Sequence, residues 1–177
     1  MTAVKWNLDK SHSGISFSVR HMMIANVRGS FLNFDADVTA DPADKTTAQA
    51  TITIEAGSIY TKDEGRDGHL KSPDFFNVEQ HPNLVFQVTK VTPAGGDEYE
   101  IAGDMTIAGV TKPLTLKGEI SGPAKDPWGN EKIAVSASGS LSRSEFGLTW
   151  NAALETGGVL VSDTIKLDVE LQFAKAV

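Results

Sequence analysis

The chain has 177 residues, of which 40% are hydrophobic and 22% charged, with a formal net charge of -7 and no cysteine. This length suits one domain with a substantial core, and the composition excludes a disordered or fibrous protein. The lack of cysteine excludes disulfides, thiolate nucleophiles and zinc-thiolate sites, while the acidic balance argues against nucleic acid as a partner. We therefore expect a single domain over residues 1–177.

No apolar run approaches the roughly 18 residues of a membrane-spanning helix, and no signal segment precedes Trp6. We expect no stable membrane insertion and, for the sequence as it stands, a cytoplasmic protein. If a leader has been removed from the chain, the same sequence would suit a periplasmic protein.

The first third of the chain alternates apolar and polar side chains, as a half-buried strand does. Residues 14–20 predict the first strand. The second begins near Ala25 and changes phase near Leu32 and Asn33, which predicts a β-bulge and a bend. Residues 48–56 predict a third strand.

Residues 58–83 break this alternation and concentrate charged side chains in a short span. The segment predicts a short helix with Thr61 as N-cap, acidic residues in its first turn, and Pro73 ending it. We expect the helix to interrupt an otherwise all-β chain.

The rest of the chain returns to period two in five segments separated by glycine, proline and aspartate clusters. Eight strands in meander order fit an all-β, eight-stranded antiparallel up-and-down barrel or a sandwich. A barrel of eight strands is just wide enough to be filled by side chains or to hold one small ligand. The interior size therefore decides between a solid core and a binding site.

Glycines recur on the inward face of the predicted strands, at Gly29, Gly103, Gly118 and Gly139. An inward glycine fills no volume, so these positions suggest an enclosed space. Alternatively, the glycines only let strongly coiled strands bend at the corners of the barrel.

Polar candidates for chemistry are few. The four histidines lie in different predicted elements at spacings unlike a metal motif, so we predict no metal site. No nucleophile elbow or phosphate-binding loop occurs, and no catalytic residue is predicted. Arg66, Asp67 and His69 could form an acid/base group or could simply fasten the helix over the barrel mouth.

Two further features point to one end of the interior. Arg143 continues the inward parity of its strand, so a carboxylate, backbone carbonyls or a ligand head group should meet its charge. Phe75 and Phe76 follow the helix and could form either a lid over an apolar ligand or a hydrophobic plug.

Several strings together resemble the YceI-like family, lipocalin-like barrels also called polyisoprenoid-binding proteins, from about Trp6 to Phe173. They are Trp6–Asp9 with His12 and Ser13, Arg20–Met22, Gly29–Phe31, Arg66–Phe76, Gly103–Pro113 and Arg143–Gly147. The resemblance implies a lipocalin-like barrel with a helix over one end and a long apolar tunnel for a polyprenyl or other lipid-like chain. It also implies a homodimer as a common state.

We therefore predict a protein that binds a long apolar ligand as a carrier, storage or stress-related protein. Polyisoprenoids, isoprenoid quinones and fatty-acid derivatives are the expected ligands. No cofactor is required, and a polyprenyl or quinone-like lipid is expected to co-purify. The predicted ligand contacts are Phe17, Val19, Phe31, Phe34, Ile52, Ile54, Phe75, Phe76, Phe86, Val88, Ile101, Gly103, Met105, Leu116, Gly118, Gly139, Leu141 and Phe146. The predicted polar groups at the mouth are His21, Arg66, Asp67, His69 and Arg143.

Two alternatives remain open at this point. The chain could be an enzyme acting on an isoprenoid or lipid held in the barrel, if two of His21, Asp67, His69 and Arg143 converge on the ligand. It could also be a solid-cored structural or stress-response protein filled by its own phenylalanines.

Overall fold

The computed structural model of the chain describes residues 3–22, 24–149 and 161–176. Within this part, one α-helix, α1, spans Glu64–Lys71, and short 3-10 turns occupy Lys10–His12, Ala56–Ser58 and Arg143–Phe146. The strands are β1 (Val4–Leu8), β2 (Gly14–His21), β3 (Ala25–Phe31), β4 (Phe34–Asp41), β5 (Asp44–Glu55), β6 (Ile59–Tyr60), β7 (Asn83–Gly95), β8 (Glu98–Ile107), β9 (Val110–Lys125), β10 (Glu131–Ser142) and β11 (Val161–Lys175).

The strands form one antiparallel sheet that closes on itself. Its order is β1-β4-β5-β7-β8-β9-β10-β11, and an additional pairing of β1 with β11 completes the ring. β2, β3 and β6 extend this ring at one end, where β2 pairs with β11, β3 with β2, and β6 with β3. The predicted eight-stranded antiparallel barrel with one short helix is confirmed.

The register of β11 defines the two ends of the barrel used below. At the lower end, β11 pairs with β1, and the β9–β10 turn lies beside them. At the upper end, β11 pairs with β2, and the β2–β3 turn and α1 lie there. The barrel thus has a lower end near the β1 strand and an upper end near the helix.

The lower half is a solid apolar core. Trp6 is 1% exposed, and its indole nitrogen donates to the carbonyl oxygen of Ala40 at 3.3 Å. Buried side chains from the surrounding strands pack into the same half, among them Val88, Val91, Ile101, Ile120, Ile133, Leu171 and Phe173. Because β1 has only five residues, the alternation of its side chains was too short to predict a strand.

The second predicted strand is interrupted at the position where its phase changes. β3 ends at Phe31 and β4 begins at Phe34, so the phase change predicted as a β-bulge within one bent strand is instead a break between two strands. Both phenylalanines are buried, because the break restores the inward parity of β4.

The N-cap predicted for the helix is wrong. The carboxylate of Asp63 accepts a hydrogen bond from the backbone N–H of Arg66 at 3.0 Å and caps α1. Thr61 cannot cap the helix because its hydroxyl is buried and bonded to Asp67. The helix ends at Lys71, before Pro73 as predicted.

Among the described residues, no helix combines the length and the apolar character that crossing a membrane would require.

Candidate functional site

The upper half of the barrel contains a cavity of about 460 Å³. Aliphatic and aromatic side chains from most strands of the barrel form the majority of its wall, and α1 with the two phenylalanines after it closes part of one side. The polar side chains in the lining are Ser16, His21, Thr61, Arg66, His69 and Arg143. Such a wall fits an apolar ligand that carries at most a small polar group.

The cavity has a floor at mid-height. On β8 Met105 lines it and Gly103 does not, and on β9 Leu116 lines it and Gly118 does not. On β11 the last lining residue is Val169. Because the half below this level is filled by the core, the cavity described here does not run the length of the barrel as the resemblance implied.

The predicted ligand contacts divide into residues that line the cavity and residues that do not. Those that line the cavity are Phe17, Val19, Phe31, Ile52, Ile54, Phe75, Phe76, Phe86, Met105, Leu116 and Leu141. Those that lie outside the lining are Phe34, Val88, Ile101, Gly103, Gly118, Gly139 and Phe146. Val88 and Ile101 belong to the core below the floor, and Phe34 and Phe146 are buried in the core without lining the cavity.

The space beside the inward glycines is filled by neighbouring atoms and is not empty. A Cβ on Gly103 would collide with the backbone oxygen of Gln87 and would lie 2.8 Å from the ring of Phe86. On Gly139 it would lie 2.7 Å from Cδ2 of Leu116. These glycines permit close packing of strands and rings, so the alternative interpretation of them is the one the structure favours.

Some lining residues were absent from the predicted set although the sequence carried their signal. Ile15, Val27, Leu114 and Ile165 follow the same inward parity as the residues that were selected. Leu148, Thr61 and Gly65 lie outside regular strands, where parity gives no information. Sequence alternation thus identified the inner face but not the height at which the interior is empty.

Aromatic rings form a continuous group on one side of the cavity. The ring centroids of Phe17 and Phe31 lie 5.6 Å apart, and those of Phe31 and Phe76 lie 6.0 Å apart in a T-shaped contact. Phe75 contacts His69 instead, also edge to face, at 5.1 Å. Phe76 therefore extends the aromatic wall of β2 and β3 beneath the helix.

Arg66 and Asp67 fasten the helix to the strand before it. The backbone N–H of Thr61 donates to Asp67 at 3.1 Å, and its hydroxyl donates to the same carboxylate. Nε of Arg66 donates to the Thr61 hydroxyl at 2.8 Å, and a terminal nitrogen donates to the Thr61 carbonyl at 2.7 Å. Arg66 lines the cavity whereas Asp67 is buried behind it, so the fastening role considered for this segment matches the geometry.

Arg143 is 5% exposed and lines the cavity near its upper end. Its guanidinium donates to the carbonyl oxygens of Leu148 at 2.7 Å, Ser162 at 3.0 Å and Val161 at 3.1 Å. Backbone carbonyls were one of the partners predicted for this charge, and they are confirmed. Burial lowers the pKa of Arg143 from its ordinary value, and the negative charge of Asp163 opposes that shift.

The carboxylate of Asp163 is held by the start of the turn that carries Arg143. The hydroxyl of Ser142 donates to one oxygen, and the backbone N–H of Ser144 donates to the other at 3.0 Å. Hydrogen bonds from these two serines lower the pKa of Asp163, so it is ionised at neutral pH. The upper end thus contains a buried cation whose position is fixed by protein groups.

The histidines do not assemble into a metal centre. Nε2 of His69 lies 2.9 Å from a carboxylate oxygen of Asp74, and Nδ1 of His12 lies 2.7 Å from Asp9. His21 lines the cavity at the upper end. Over residues 3–22, 24–149 and 161–176, no three histidine or carboxylate side chains are grouped so as to hold a metal ion.

The sequence and fold of this chain are similar to those of known proteins. The model of the YceI-like domain family matches residues 6–173. The UPF0312 protein SA2479 of Staphylococcus aureus (strain N315) is 38% identical over 170 residues, which cover 96% of this chain and 96% of that protein. The crystal structure of the Campylobacter jejuni YceI protein has a TM-score of 0.78 at 33% identity, covering 89% of this chain and 90% of that one.

A solved structure with lower sequence identity has the same fold. The polyisoprenoid binding domain from Saccharophagus degradans has a TM-score of 0.74 at 13% identity, covering 98% of this chain and 99% of that one. The matched family model and the relatives span nearly the whole chain. The protein therefore belongs to the YceI-like family.

Proposed function

We propose that this protein binds a long, apolar, lipid-like molecule in the upper cavity of the barrel. A polyisoprenoid, an isoprenoid quinone or a fatty-acid derivative has the required character. The observation that carries the proposal is the cavity of about 460 Å³ with a mostly apolar wall. Ligand sites in proteins occupy roughly 300–1,000 Å³, so this volume suits one small-molecule chain.

Hydrophobic burial is sufficient to hold such a ligand. Each methylene group removed from water contributes about 0.8 kcal/mol, so a chain of ten carbons gains several kcal/mol without any polar contact. The floor at mid-height limits how much of the ligand is enclosed. A longer ligand would therefore place its remaining segment toward the upper end of the barrel.

The polar lining groups indicate where the ligand's polar end lies. His21, Arg66, His69 and Arg143 all belong to the upper end. We infer that the apolar chain points down toward Met105 and Val169 while any head group faces these side chains. The Saccharophagus degradans domain supports only the shared barrel, so the ligand class rests on the cavity of this chain.

Native mass spectrometry of the purified protein tests the proposal, followed by organic extraction of any species that adds mass. A lipid-like adduct, or uptake of octaprenyl compounds or a long-chain fatty acid by the stripped protein, is the expected result. A protein that stays free of ligand after incubation with all of these compounds would overturn the proposal.

A matched pair of variants locates the binding to the cavity. Ile165 lines the cavity on β11, whereas its neighbour Thr164 is exposed on the outer face. Ile165→Trp should abolish uptake because the indole fills the upper cavity, and Thr164→Trp should leave uptake unchanged. Equal uptake by both folded variants would show that the ligand binds elsewhere.

The biological use of the ligand forms part of the same proposal. We propose a carrier, storage or stress-related protein that performs no catalytic step, since Asp67 and Arg143 are held by protein groups. An enzyme acting on a bound lipid is the alternative, and turnover of the ligand extracted from the protein would favour it. The homodimer stays a prediction that sedimentation velocity can test, and the cellular compartment stays a prediction as well.

A further inference from the structure

The turn between β2 and β3 exposes large apolar side chains at the upper end of the barrel. Ile24 is 81% exposed and Met22 is 46% exposed. The turn is closed by a hydrogen bond from the N–H of Ile24 to the carbonyl of His21 at 3.3 Å. We call Met22 and Ile24, the two described residues of this turn, the hairpin tip.

The hairpin tip adjoins the cavity. The inner face of the hairpin lines the cavity through Val19, His21 and Val27. Met22 therefore follows directly after a lining residue, so the exposed apolar surface adjoins the cavity wall. An exposed apolar projection next to a binding site is typical of a surface that contacts a partner.

The outer face of the same region is basic. Arg20, Arg28 and Lys166 are exposed, and the register places Lys166 beside Ser18 and Ser18 beside Arg28 in one row across three strands. In the part of the chain described, neither Arg28 nor Lys166 forms an ion pair. We call Arg28 and Lys166 the basic row.

This local charge is opposite to that of the whole chain, whose formal net charge is -7. At physiological ionic strength, charges more than about 8 Å apart are largely screened in water. A partner that approaches the hairpin therefore experiences the basic row more than the distant carboxylates. The acidic positions of β11 near this row are Asp163, whose carboxylate accepts hydrogen bonds from Ser142 and Ser144, and Asp168, which pairs with Ser16 one row further from the tip.

We propose that the hairpin tip docks this protein on an anionic phospholipid bilayer, with the upper end of the barrel facing the membrane. The combination of an apolar projection that can enter the interface and cations that attract acidic head groups fits this partner. The proposal rests on the proposed function, because a bilayer is the phase in which an apolar ligand is dissolved. Docking would let the ligand enter the cavity without crossing water.

Vesicle co-sedimentation tests the docking directly. The probes are phosphatidylcholine vesicles with and without phosphatidylglycerol, and the protein is first stripped of any bound lipid. Wild-type protein should sediment with the anionic vesicles and only weakly with the neutral ones, and added salt should release it. Absence of binding to anionic vesicles, or equal binding to both kinds, would overturn the proposal.

Two matched pairs of variants distinguish the effect of contacts at the hairpin from the effect of the protein's total charge and exposed apolar surface. Each basic residue near an anionic surface contributes an attraction equivalent to about fivefold in affinity, so Arg28→Glu should weaken binding by at least that factor. Lys90→Glu makes the same change in net charge at an exposed position on β7 and should have no effect. Ile24→Ser should weaken binding, whereas Trp128→Ser should not, although Trp128 is 83% exposed at the lower end. Equal losses within a pair would contradict the proposal.

Vesicle binding and ligand uptake, measured on the same variants, distinguish the docking proposal from the proposed function on which it rests. Ile165→Trp, with its cavity filled, should still bind anionic vesicles while failing to take up ligand. Vesicle binding by a protein that never takes up ligand would leave docking standing and remove the proposed function. If Ile24→Ser instead changes the sedimentation coefficient and vesicles have no effect, the tip is a contact between two copies of the chain and the docking proposal fails.

Discussion

The ring of Phe17 lies directly against Gly29, its partner across the β2–β3 pair. A Cβ on Gly29 would lie 2.8 Å from Cε1 of that ring and 2.9 Å from the Cγ2 atom of Thr61. The space left by the missing side chain is therefore filled by an aromatic ring that also belongs to the cavity wall. A glycine on the inner face of this barrel positions a neighbouring side chain rather than enlarging the interior.

Gly29→Ala should reduce ligand uptake at a modest cost in stability. The added methyl displaces the end of the Phe17 side chain, which can move only into the cavity or against its neighbours. We expect a loss of about 1–2 kcal/mol in the free energy of unfolding and weaker ligand binding in a fluorescence titration. Gly14→Ala is the control, since no atom lies within 4 Å of the added Cβ there. Uptake equal to that of the control would contradict the idea.

Gly118→Ala should destabilise the fold without acting on the ligand. Its Cβ would collide with the backbone oxygen of Ser136, and it would lie 2.5 Å from Cα of Ala137. Backbone atoms cannot move aside as a ring can, so we expect a loss of about 1–3 kcal/mol, measured by urea denaturation. Because Gly118 lies below the floor, the folded fraction should bind ligand normally. A variant that is fully stable but unable to bind would show that Gly118 contacts the ligand after all.

Arg143→Met should be among the most destabilising substitutions in the upper half. Three backbone carbonyls would lose a charged donor at once, and each such hydrogen bond contributes roughly 1.5–3 kcal/mol. We expect a total loss of at least about 3 kcal/mol in the free energy of unfolding. Arg28→Met, at an exposed position, should change it by less than about 0.5 kcal/mol. Similar melting temperatures for the two variants would refute this account of Arg143.

Thr61→Val should loosen α1 while leaving the barrel intact. Valine keeps the shape of threonine but removes the hydroxyl that donates to Asp67 and accepts from Arg66. The buried carboxylate would then lose one donor, at a cost of about 1–3 kcal/mol. Hydrogen exchange should accelerate at the amides of α1 and remain unchanged on β8. Unchanged exchange in the helix would mean that the Thr61 hydroxyl does not hold it in place.

The contribution of Asp9 to the free energy of unfolding should decrease at acidic pH. Hydrogen bonds from Ser11 and His12 lower the pKa of Asp9 from 3.8 to about 2. Since the carboxylate is favoured in the folded state, its contribution to stability is complete above about pH 5 and is lost as the pH falls from about 4 to 2. The difference in the free energy of unfolding between wild type and Asp9→Asn should therefore shrink across that range. A difference that stays constant from pH 6 to pH 2 would disprove this linkage.

The barrel could be predicted from the sequence because period-two alternation directly reports which face of a strand is buried. It also located the break between Phe31 and Phe34, where the phase changes. The N-cap could not be predicted, because Thr61 and Asp63 both have suitable side chains. Only the tertiary contact with Asp67 shows that the threonine is already engaged.

The sequence predicted that the barrel has an apolar interior that holds a ligand, but not the height at which the cavity lies. Parity places Met105 and Ile101 on the same inner face, yet the first lines the cavity and the second belongs to the core. The difference depends on how the side chains of opposite strands meet at each height of the barrel. No local pattern encodes that relationship, and it is the reason that Val88 and Gly103 were included in the predicted contacts.

The pairing of β11 has a consequence for how the protein is made. Leu8 pairs with Phe173 where β1 and β11 close the ring, and Phe17 pairs with Leu167 where β2 extends it. Both pairs join segments on the order of 150 residues apart. While residues 161–175 are still inside the ribosome, β1, β2 and β10 have open edges that can pair with other chains. Closure must therefore follow the synthesis of β11. Proline substitutions within β11, or termination before it, should yield aggregates rather than a smaller barrel.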